Sequence, residues 1–534
     1  MLQDIVTSDE QAERYYADRL WTFETLSARV VATAEAAWPP GTVAVIDRMG
    51  ERRRTYHDLM RDAAGLAAHL AAQGLVAGDV VSIQLPNCYE AVVAAVAAIS
   101  RGAVVNPILP NYRESELRHI FFTARPKVVV IPATYRGFDH EALLDEVTAG
   151  RGEAPIRVVV DLDDPQPMAP ESGMALWRGL SAASVSELIF TSGTEARPKA
   201  VMHTENTAGF AVRATFEALG LGRETVVWMP SPVGHSTGFN YGMRAALWHG
   251  ATLVLQDRWD AKDAATLIAD HQCNYTLAAT TFLGDLVAHC EETGISLPTM
   301  THFGCGGAPV PAALVARAEQ VGIGVLRLYG STEVLCATWN RPDSPPEKRA
   351  NTDGYALPHT DIEVRDDEGK ALTPPAEGEL YVRGPNTSVG FADDPRSADT
   401  YLEGGWVRTG DAVRLDAEGY LTVVGRKKEI IIRGGLNIAP REIEDKLQEF
   451  PEVRQAAVVA LPDERLGERG CACVVLNPGC SLDFEAMVAR LREVGLATYK
   501  LPERLVLLEE LPVTASGKVQ KHEILRQILG EAAR

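Results

Sequence analysis

Between Tyr56 and Ile131 short apolar runs alternate with segments of helical period, and this alternation restricts the fold more than any other feature of the chain. Tyr56 to Gln73 carries Leu59, Met60, Ala63, Leu66, Ala67 and Leu70 at helical spacing and stops at Gly74. Asp79 to Leu85 reads as a strand ended by Pro86, and Glu90 to Arg101 as an Ala/Val-rich helix ended by Gly102. Val104 to Pro107 and Lys127 to Ile131 read as further buried strands. Repeated strand–helix–strand units require a parallel sheet covered on both faces. A second such unit is predicted from Ala251 to Leu328. From Asp361 the period changes to two, in Ile362-Glu363-Val364, Glu379 to Val382 and Tyr420 to Val424, which predicts a small barrel or distorted sheet. The chain after Gly435 mixes strands (Ala456 to Leu461, Ala472 to Leu476, Arg504 to Leu508) with helices (Pro440 to Phe450, Leu482 to Val494), a small α+β unit.

Composition excludes several classes. A net charge of -20 disfavours nucleic acid as a partner. No apolar run is long enough for a membrane span, and the first residues, MLQDIVTSDE, lack the pattern of a signal peptide. These features place the chain in the cytoplasm, away from membranes. The eight cysteines are scattered, and Cys471-x-Cys473 reads as part of a strand rather than a metal site. A proline-rich, acidic stretch from 161 to 183 reads as a surface connection.

Several short motifs carry chemistry. Leu188-Ile189-Phe190 reads as a strand that breaks into Thr191-Ser192-Gly193-Thr194, followed by Lys199. Hydroxyls, backbone N–H groups and a lysine around a glycine turn suit a phosphate. It is not a Walker loop, because Gly-Lys-Ser/Thr is missing, and an ordinary surface turn is the bland alternative. Gly234-His235-Ser236-Thr237-Gly238 has the G-x-S-x-G spacing of a hydrolase nucleophile elbow. Pro230 and Pro232 sit where the strand entering such an elbow would run. Gly304, Gly306, Gly307 and Ala308 allow a backbone to approach a flat ligand, or form a loose turn. Tyr329-Gly330-Ser331-Thr332-Glu333 ends a strand with hydroxyls for a phosphate and a carboxylate for Mg²⁺. Thr409-Gly410-Asp411 offers a carboxylate to a ribose diol, or is a common turn aspartate. Lys518 follows Ser516-Gly517 near the end of the chain, where a lone lysine is usually solvated.

Taken together, in this order, the motifs TSGT, YGSTE, TGD and the late SGK resemble the adenylate-forming superfamily of acyl-CoA synthetases, luciferases and peptide-synthetase adenylation domains. MPSPVGHSTGF, GCGGAPVP, GRKKEIIIRGG and LPVTASGK are similar to acyl-CoA synthetases for short- and medium-chain or alicyclic acids, and the loop departures described below also resemble a diterpenoid branch, that of platensimycin and platencin.

The resemblance implies a large N-terminal domain, residues 1–425, of two α/β subdomains plus a small β-barrel. A hinge at 426–428 would join it to a swinging α+β domain, 429–534. It implies two steps: a carboxylate and ATP give acyl-AMP and pyrophosphate, and CoA thiol then attacks the acyl-AMP. Thr191, Ser192, Gly193, Thr194 and Lys199 would hold the triphosphate. Gly306, Gly307, Ala308 and Tyr329 would sandwich adenine. Thr332 would bind the α-phosphate and Glu333 would place Mg²⁺. Asp411 and Arg426 would hold the ribose, and Lys518 would stabilise charge at the α-phosphate. His235, Gly238, Phe239 and Gly304 would line the acyl pocket, whose small residues hint at a wide cavity. Lys428 would be the hinge, Gly434 and Gly435 would line the pantetheine tunnel, and Tyr499 would stack on the CoA adenine.

The family loop usually reads T-S-G-T-T-G-x-P-K-G. Here Glu195, Ala196 and Ala200 depart from it. A glutamate about 5 Å from a phosphate charge costs on the order of 3 kcal/mol at an effective dielectric near 20, before Mg²⁺ offsets it. At position 196 a glycine in such a loop often has positive φ, and Ala196 pays sterically to follow it. These departures predict a weak or lost adenylation step, with a separate enzyme supplying acyl-AMP. A fully competent ATP-dependent ligase and, at greater distance, a serine hydrolase on Ser236 are the alternatives. A homodimer and a carrier-protein thiol acceptor both fit the sequence.

Overall fold

The computed structural model describes residues 6–36, 41–150, 154–165, 167–169, 176, 181–191, 198–308, 310–433, 436–463, 465–514 and 518–532. Two large sheets organise the first four hundred or so of them. The first has six strands in the order Ala200–Thr204, Val185–Phe190, Val104–Pro107, Val80–Ile83, Val128–Pro132, Ile156–Val160. Its pairs are parallel except that Ala200–Thr204 returns antiparallel to Val185–Phe190. The second has nine strands, parallel from Val43–Asp47 across to Val325–Ser331. The hairpin Val43–Asp47 and Arg52–Thr55 lies in this second sheet, although the chain enters it before building the first. Sequence order hides this, because a crossover carries no local pattern.

The helix Tyr89–Ser100 is buried along its whole length. Its Ala and Val side chains share one apolar cluster with Val81 and Ile83 of the first sheet and Val227, Leu253 and Tyr275 of the second. A helix apolar all round belongs between two such surfaces. Tyr56–Ala72 starts as expected, with Thr55 and Asp58 forming a reciprocal capping box, and it stops at Gly74, whose φ is +94°. Glu205–Leu219 begins with the same device, Thr204 with Thr207.

The period-two region forms five antiparallel strands. The long strand Trp406–Leu415 pairs with Ala376–Arg383 on one edge. Its other edge is divided between Tyr401–Leu402 and Leu421–Arg426. Among the described residues no pairing joins the outer strands, so the expected barrel is an open, distorted sheet.

The described part of the charged run from Gly425 to Ile438, which holds the expected hinge at 426–428, is mostly sheet. Ile431–Arg433 and Leu436–Ile438 pair with each other, and Arg433 opposes Gly467 in the C-terminal sheet. Only the single turn Lys427–Glu429 connects the two regions. The C-terminal sheet has five strands, covered by Pro440–Gln448, Phe484–Glu493 and Lys521–Ala532.

Behind the loop-bearing strand Val185–Phe190 lies a buried charge cluster. Arg244 pairs with Glu187 and lies 2.9 Å from Glu205. Asn240 bridges, donating to Glu187 at 3.1 Å and accepting from Arg244 at 3.1 Å. Burial pushes the Glu187 carboxyl up while Arg244 pulls it down. Replacing Arg244 by Met leaves two carboxylates uncompensated in the core. The expected loss is about 3–5 kcal/mol, read from urea unfolding at pH 7.

Candidate active site

Asp411 and Arg426 are direct partners on the antiparallel strands Trp406–Leu415 and Leu421–Arg426. That register alone brings the guanidinium to the carboxylate, Nε to Oδ1, at 2.8 Å. Gly410, with φ +75°, turns the chain so that Asp411 points inward. Tyr329, from the end of Val325–Ser331, donates its hydroxyl to Asp411 Oδ2 at 2.6 Å. The sequence reading gave Tyr329 a place against adenine; the ring is 6% exposed and packs into the small sheet's core, so its hydroxyl bond is the firmer feature. Burial raises the Asp411 carboxyl, and Arg426 and Tyr329 hold it down.

Lys518 reaches this cluster from the C-terminal region. A Cβ placed on Gly307 would lie 3.5 Å from Lys518 Cε and 3.9 Å from Nζ. Its backbone is held by Thr514, whose N–H donates to the Lys518 carbonyl at 2.7 Å. Burial lowers the Lys518 ammonium, as does Arg426, and the carboxylates of Asp411 and Glu333 oppose them. Asp411, Arg426, Glu333 and Lys518 therefore share one electrostatic site, assembled from residues that lie far apart in sequence.

Gly306 sits against the opposing strand: a Cβ there would be 2.6 Å from the Leu328 carbonyl oxygen. Only glycine allows the loop to lie so close. Gly307 has φ +76° and faces Lys518; Ala308 follows it. Thr332 and Glu333 are half-buried at the following turn. One carboxylate beside a hydroxyl fits Mg²⁺, which takes one or two protein carboxylates and draws its other ligands from phosphates and water. Among the described residues no group of three or more His, Cys, Asp or Glu could hold a metal by itself.

At the phosphate loop, Thr191 and Lys199 close the neck with two bonds: Thr191 N–H to the Lys199 carbonyl at 2.9 Å, and Lys199 N–H to Thr191 Oγ1 at 3.1 Å. Lys199 Nζ stands 5.1 Å from the centre of the Phe391 ring and near Asp394. Ser192, Gly193 and Thr194 lie outside the described residues, as do Glu195, Ala196, Gly434 and Gly435. Ala200 is described. It is 3% exposed in the strand Ala200–Thr204, opposite Phe190.

The G-x-S-x-G stretch is not a nucleophile elbow. Ser236 has φ -48° and ψ -40°, ordinary helical values, and caps a π-helix, Thr237–Arg244. A nucleophile elbow needs a strained turn. Its glycines serve packing: a Cβ at Gly234 would be 2.5 Å from the Ile108 carbonyl oxygen, and one at Gly238 would strike the Pro232 and Ser231 carbonyls. The wide pocket inferred from small residues is corrected for the same reason. A Cβ at Gly304 would be 2.5 Å from Trp339 Cζ2, so the indole already fills that space. Phe239 is 2% exposed and part of the core. His235, half-buried, accepts from the Thr237 N–H at 3.3 Å, and burial beside Lys518 holds its imidazole down to about 4.

Lys428 falls within the turn Lys427–Glu429. Tyr499 lies in the turn Thr498–Lys500, its ring 5.7 Å from Lys500 Nζ. Sequence reasoning missed His203. It shows no spacing pattern, yet it bonds the Thr332 carbonyl at 2.8 Å.

Residues 32–392 match the AMP-binding enzyme family, and residues 442–518 match the AMP-binding enzyme C-terminal domain. The chain belongs to the AMP-binding enzyme family. It is 36% identical to the medium-chain fatty-acid–CoA ligase of Escherichia coli (strain K12), over 98% of this chain and 94% of that one. It is 32% identical to the 2-hydroxy-7-methoxy-5-methyl-1-naphthoate–CoA ligase of Streptomyces carzinostaticus, over 96% and 95%. The crystal structure of ATP-bound MatB from Rhodopseudomonas palustris superposes with a TM-score of 0.84 at 25% identity, covering 95% of this chain and 100% of that one. These likenesses reach the AMP-binding enzymes and their acyl-CoA ligases; they do not reach the diterpenoid-pathway branch. Among the described residues no helix is long and apolar enough to cross a membrane.

Burial gives this AMP-binding enzyme a defined acid response. The imidazoles of His203 and His249 are held down to about 4 by burial. Both stay neutral in the fold while the unfolded chain protonates them below about 6.5. The fold then binds fewer protons than the unfolded chain, so stability falls as pH drops from about 6.5 to about 4. His203, fully buried, accounts for about 3 kcal/mol of that loss. Urea midpoints at pH 7 and pH 4.5 measure it, and His203→Gln should remove its share of the slope.

Proposed function

We propose that this enzyme is an acyl-CoA ligase that makes a CoA thioester by way of an acyl-AMP, and that the second half-reaction is its main activity. The arrangement of Asp411, Arg426, Tyr329 and Lys518 carries the reading. It offers a buried carboxylate for the ribose hydroxyls and a cation for the phosphate side of the same nucleotide. Gly306, Gly307 and Ala308 would face the adenine. Thr332 would contact the α-phosphate, and Glu333 would hold Mg²⁺, which supplies further positive charge to the phosphates. His235 would stand at the acyl end.

In the adenylation step a carboxylate oxygen would attack the α-phosphorus and pyrophosphate would leave. Lys518 would balance negative charge growing on the α-phosphate, an electrostatic task that needs no proton transfer. In the second step a CoA sulfur would attack the acyl carbon, AMP would leave, and the thiol proton would pass to solvent. Residues 429–534 would turn about Lys428 between the steps, bringing Gly434, Gly435 and Tyr499 to the CoA.

The weakness assigned to the first step rests on Glu195 and Ala196 in the loop that would hold the β- and γ-phosphates. A second reading, a ligase competent in both steps, is favoured by Lys518 standing at the nucleotide site, where adenylation would use it. The names of the relatives support a medium-chain or cyclic carboxylic acid as the acyl donor. A separate adenylating enzyme would supply the acyl-AMP if the first reading holds.

The two readings separate in a paired assay. One tube receives decanoic acid, ATP and Mg²⁺; the other receives decanoyl-AMP and CoA. The account expects thioester in the second tube and pyrophosphate release at least about a hundredfold slower in the first, which a loss of about 3 kcal/mol implies. Equal rates would establish the second reading. Glu195→Thr with Ala196→Gly should raise pyrophosphate release while leaving the second tube unchanged.

A further inference from the structure

The turn that carries Thr332 and Glu333 is held from outside the site by its backbone. Ser388 N–H donates to the Glu333 carbonyl at 2.8 Å. The Thr332 carbonyl is bonded at 2.8 Å by His203 Nε2. His203 is the penultimate residue of the strand Ala200–Thr204, which returns from the phosphate loop, and it is fully buried. A carbonyl can only accept, so Nε2 carries the proton. Nδ1 is then a lone-pair acceptor, and Thr207 Oγ1 stands 3.0 Å from it. Thr207 is itself fixed by its capping box with Thr204 at the start of Glu205–Leu219. The chain of contacts runs from a helix cap through one tautomer of an imidazole to the Thr332 backbone. Burial keeps the ring neutral, with its pKa held down to about 4, so this tautomer persists at neutral pH.

We propose that His203 is a positioning residue for the nucleotide site: it fixes the Thr332–Glu333 turn so that the Thr332 hydroxyl and Glu333 carboxylate face the cluster of Asp411, Arg426 and Lys518. The inference rests on the reading of Thr332 and Glu333 as nucleotide-facing. Both carbonyls are tied outward, and among the described residues no hydrogen bond is made by the Thr332 or Glu333 side chain. Glu333 acts electrostatically on Lys518, Asp411 and Arg426. Without the imidazole donor the turn keeps its Glu333 anchor and loses its Thr332 anchor. Small displacements of groups that position a reacting phosphate cost rate rather than CoA affinity.

The test measures thioester formation from decanoyl-AMP and CoA, together with thermal midpoints. His203→Ala should lower kcat about tenfold or more, the usual range for groups that orient a ligand's partners, with the KM for CoA within about twofold. His203→Gln keeps an N–H₂ donor near the position of Nε2 and should recover most of kcat. Thr207→Val removes the hydroxyl that faces Nδ1 and reinforces the tautomer set by the Thr332 carbonyl, and should lower kcat in the wild-type background. In the His203→Gln background the same change should have little further effect on kcat, because an amide donor needs no tautomer selection. Equal kcat in wild type and His203→Ala overturns the proposal. So does a Thr207→Val loss in kcat that is the same in both backgrounds, which marks a merely structural role. If His203→Ala does not fold, the Gln and Val variants still decide. Absence of thioester in the wild type itself would overturn the underlying reading of the site instead.

Discussion

The bond between Asp411 and Arg426 is the interaction on which the site depends. It is fixed by register, since the two residues oppose each other on paired strands, and it draws in the Tyr329 hydroxyl. Burial raises the Asp411 carboxyl, and the Arg426 guanidinium and the Tyr329 hydroxyl oppose that rise. The same charge pattern accommodates Lys518, whose ammonium would otherwise be disfavoured by burial and by Arg426. Fold and chemistry meet here because a small antiparallel sheet, placed at the edge of the large α/β body, presents its paired residues to a lysine from the C-terminal region.

The turn between the two regions is held on both sides. Lys427 Nζ reaches Glu379 at 3.1 Å and Asp367 at 3.0 Å, tying it to the small sheet. Glu429 reaches Lys521 Nζ at 3.3 Å, and Lys521 also bonds Glu444 at 2.8 Å, tying it to the C-terminal helices. Lys428 stands between these two anchorages. That arrangement favours the proposed pivot at this residue over a diffuse linker, and it explains why a run rich in charge is compact. Lys427 and Glu429 are committed to partners on opposite sides.

Local pattern was enough for several helices and parallel strands, while helices such as Glu114–Ala124 and Thr280–Thr293 were not read from it. Tyr56 to Gln73 was legible from apolar spacing and a glycine stop, and Val104 to Pro107 from the pair Val104-Val105 following the Gly102 stop. What local pattern could not show was pairing. The hairpin from Val43 to Thr55 joins a sheet whose other strands begin at Val226, and no periodicity records that. Small residues were misleading around Gly238 and Gly304, because sequence shows a missing side chain but not the carbonyl or indole that fills the space. The serine of G-x-S-x-G failed as a nucleophile because the motif fixes spacing, while the chemistry requires a strained backbone. The motifs TGD and YGSTE were legible as candidates, but the bond from Tyr329 to Asp411 emerged only when the two strands were brought together. His203 carried no signal at all, since a single histidine before a threonine is unremarkable until its carbonyl partner is known.

The account turns on this cluster being built to hold an acyl-adenylate. The most direct measurement is the affinity for decanoyl-sulfamoyl adenosine, a stable mimic of the acyl-AMP, by titration calorimetry with wild type and Asp411→Asn. Loss of a hydrogen-bonded charge of this kind costs about 1.5–3 kcal/mol, so the variant should bind about tenfold to more than a hundredfold more weakly. Equal affinity in the two proteins would contradict the assignment of Asp411 to the nucleotide.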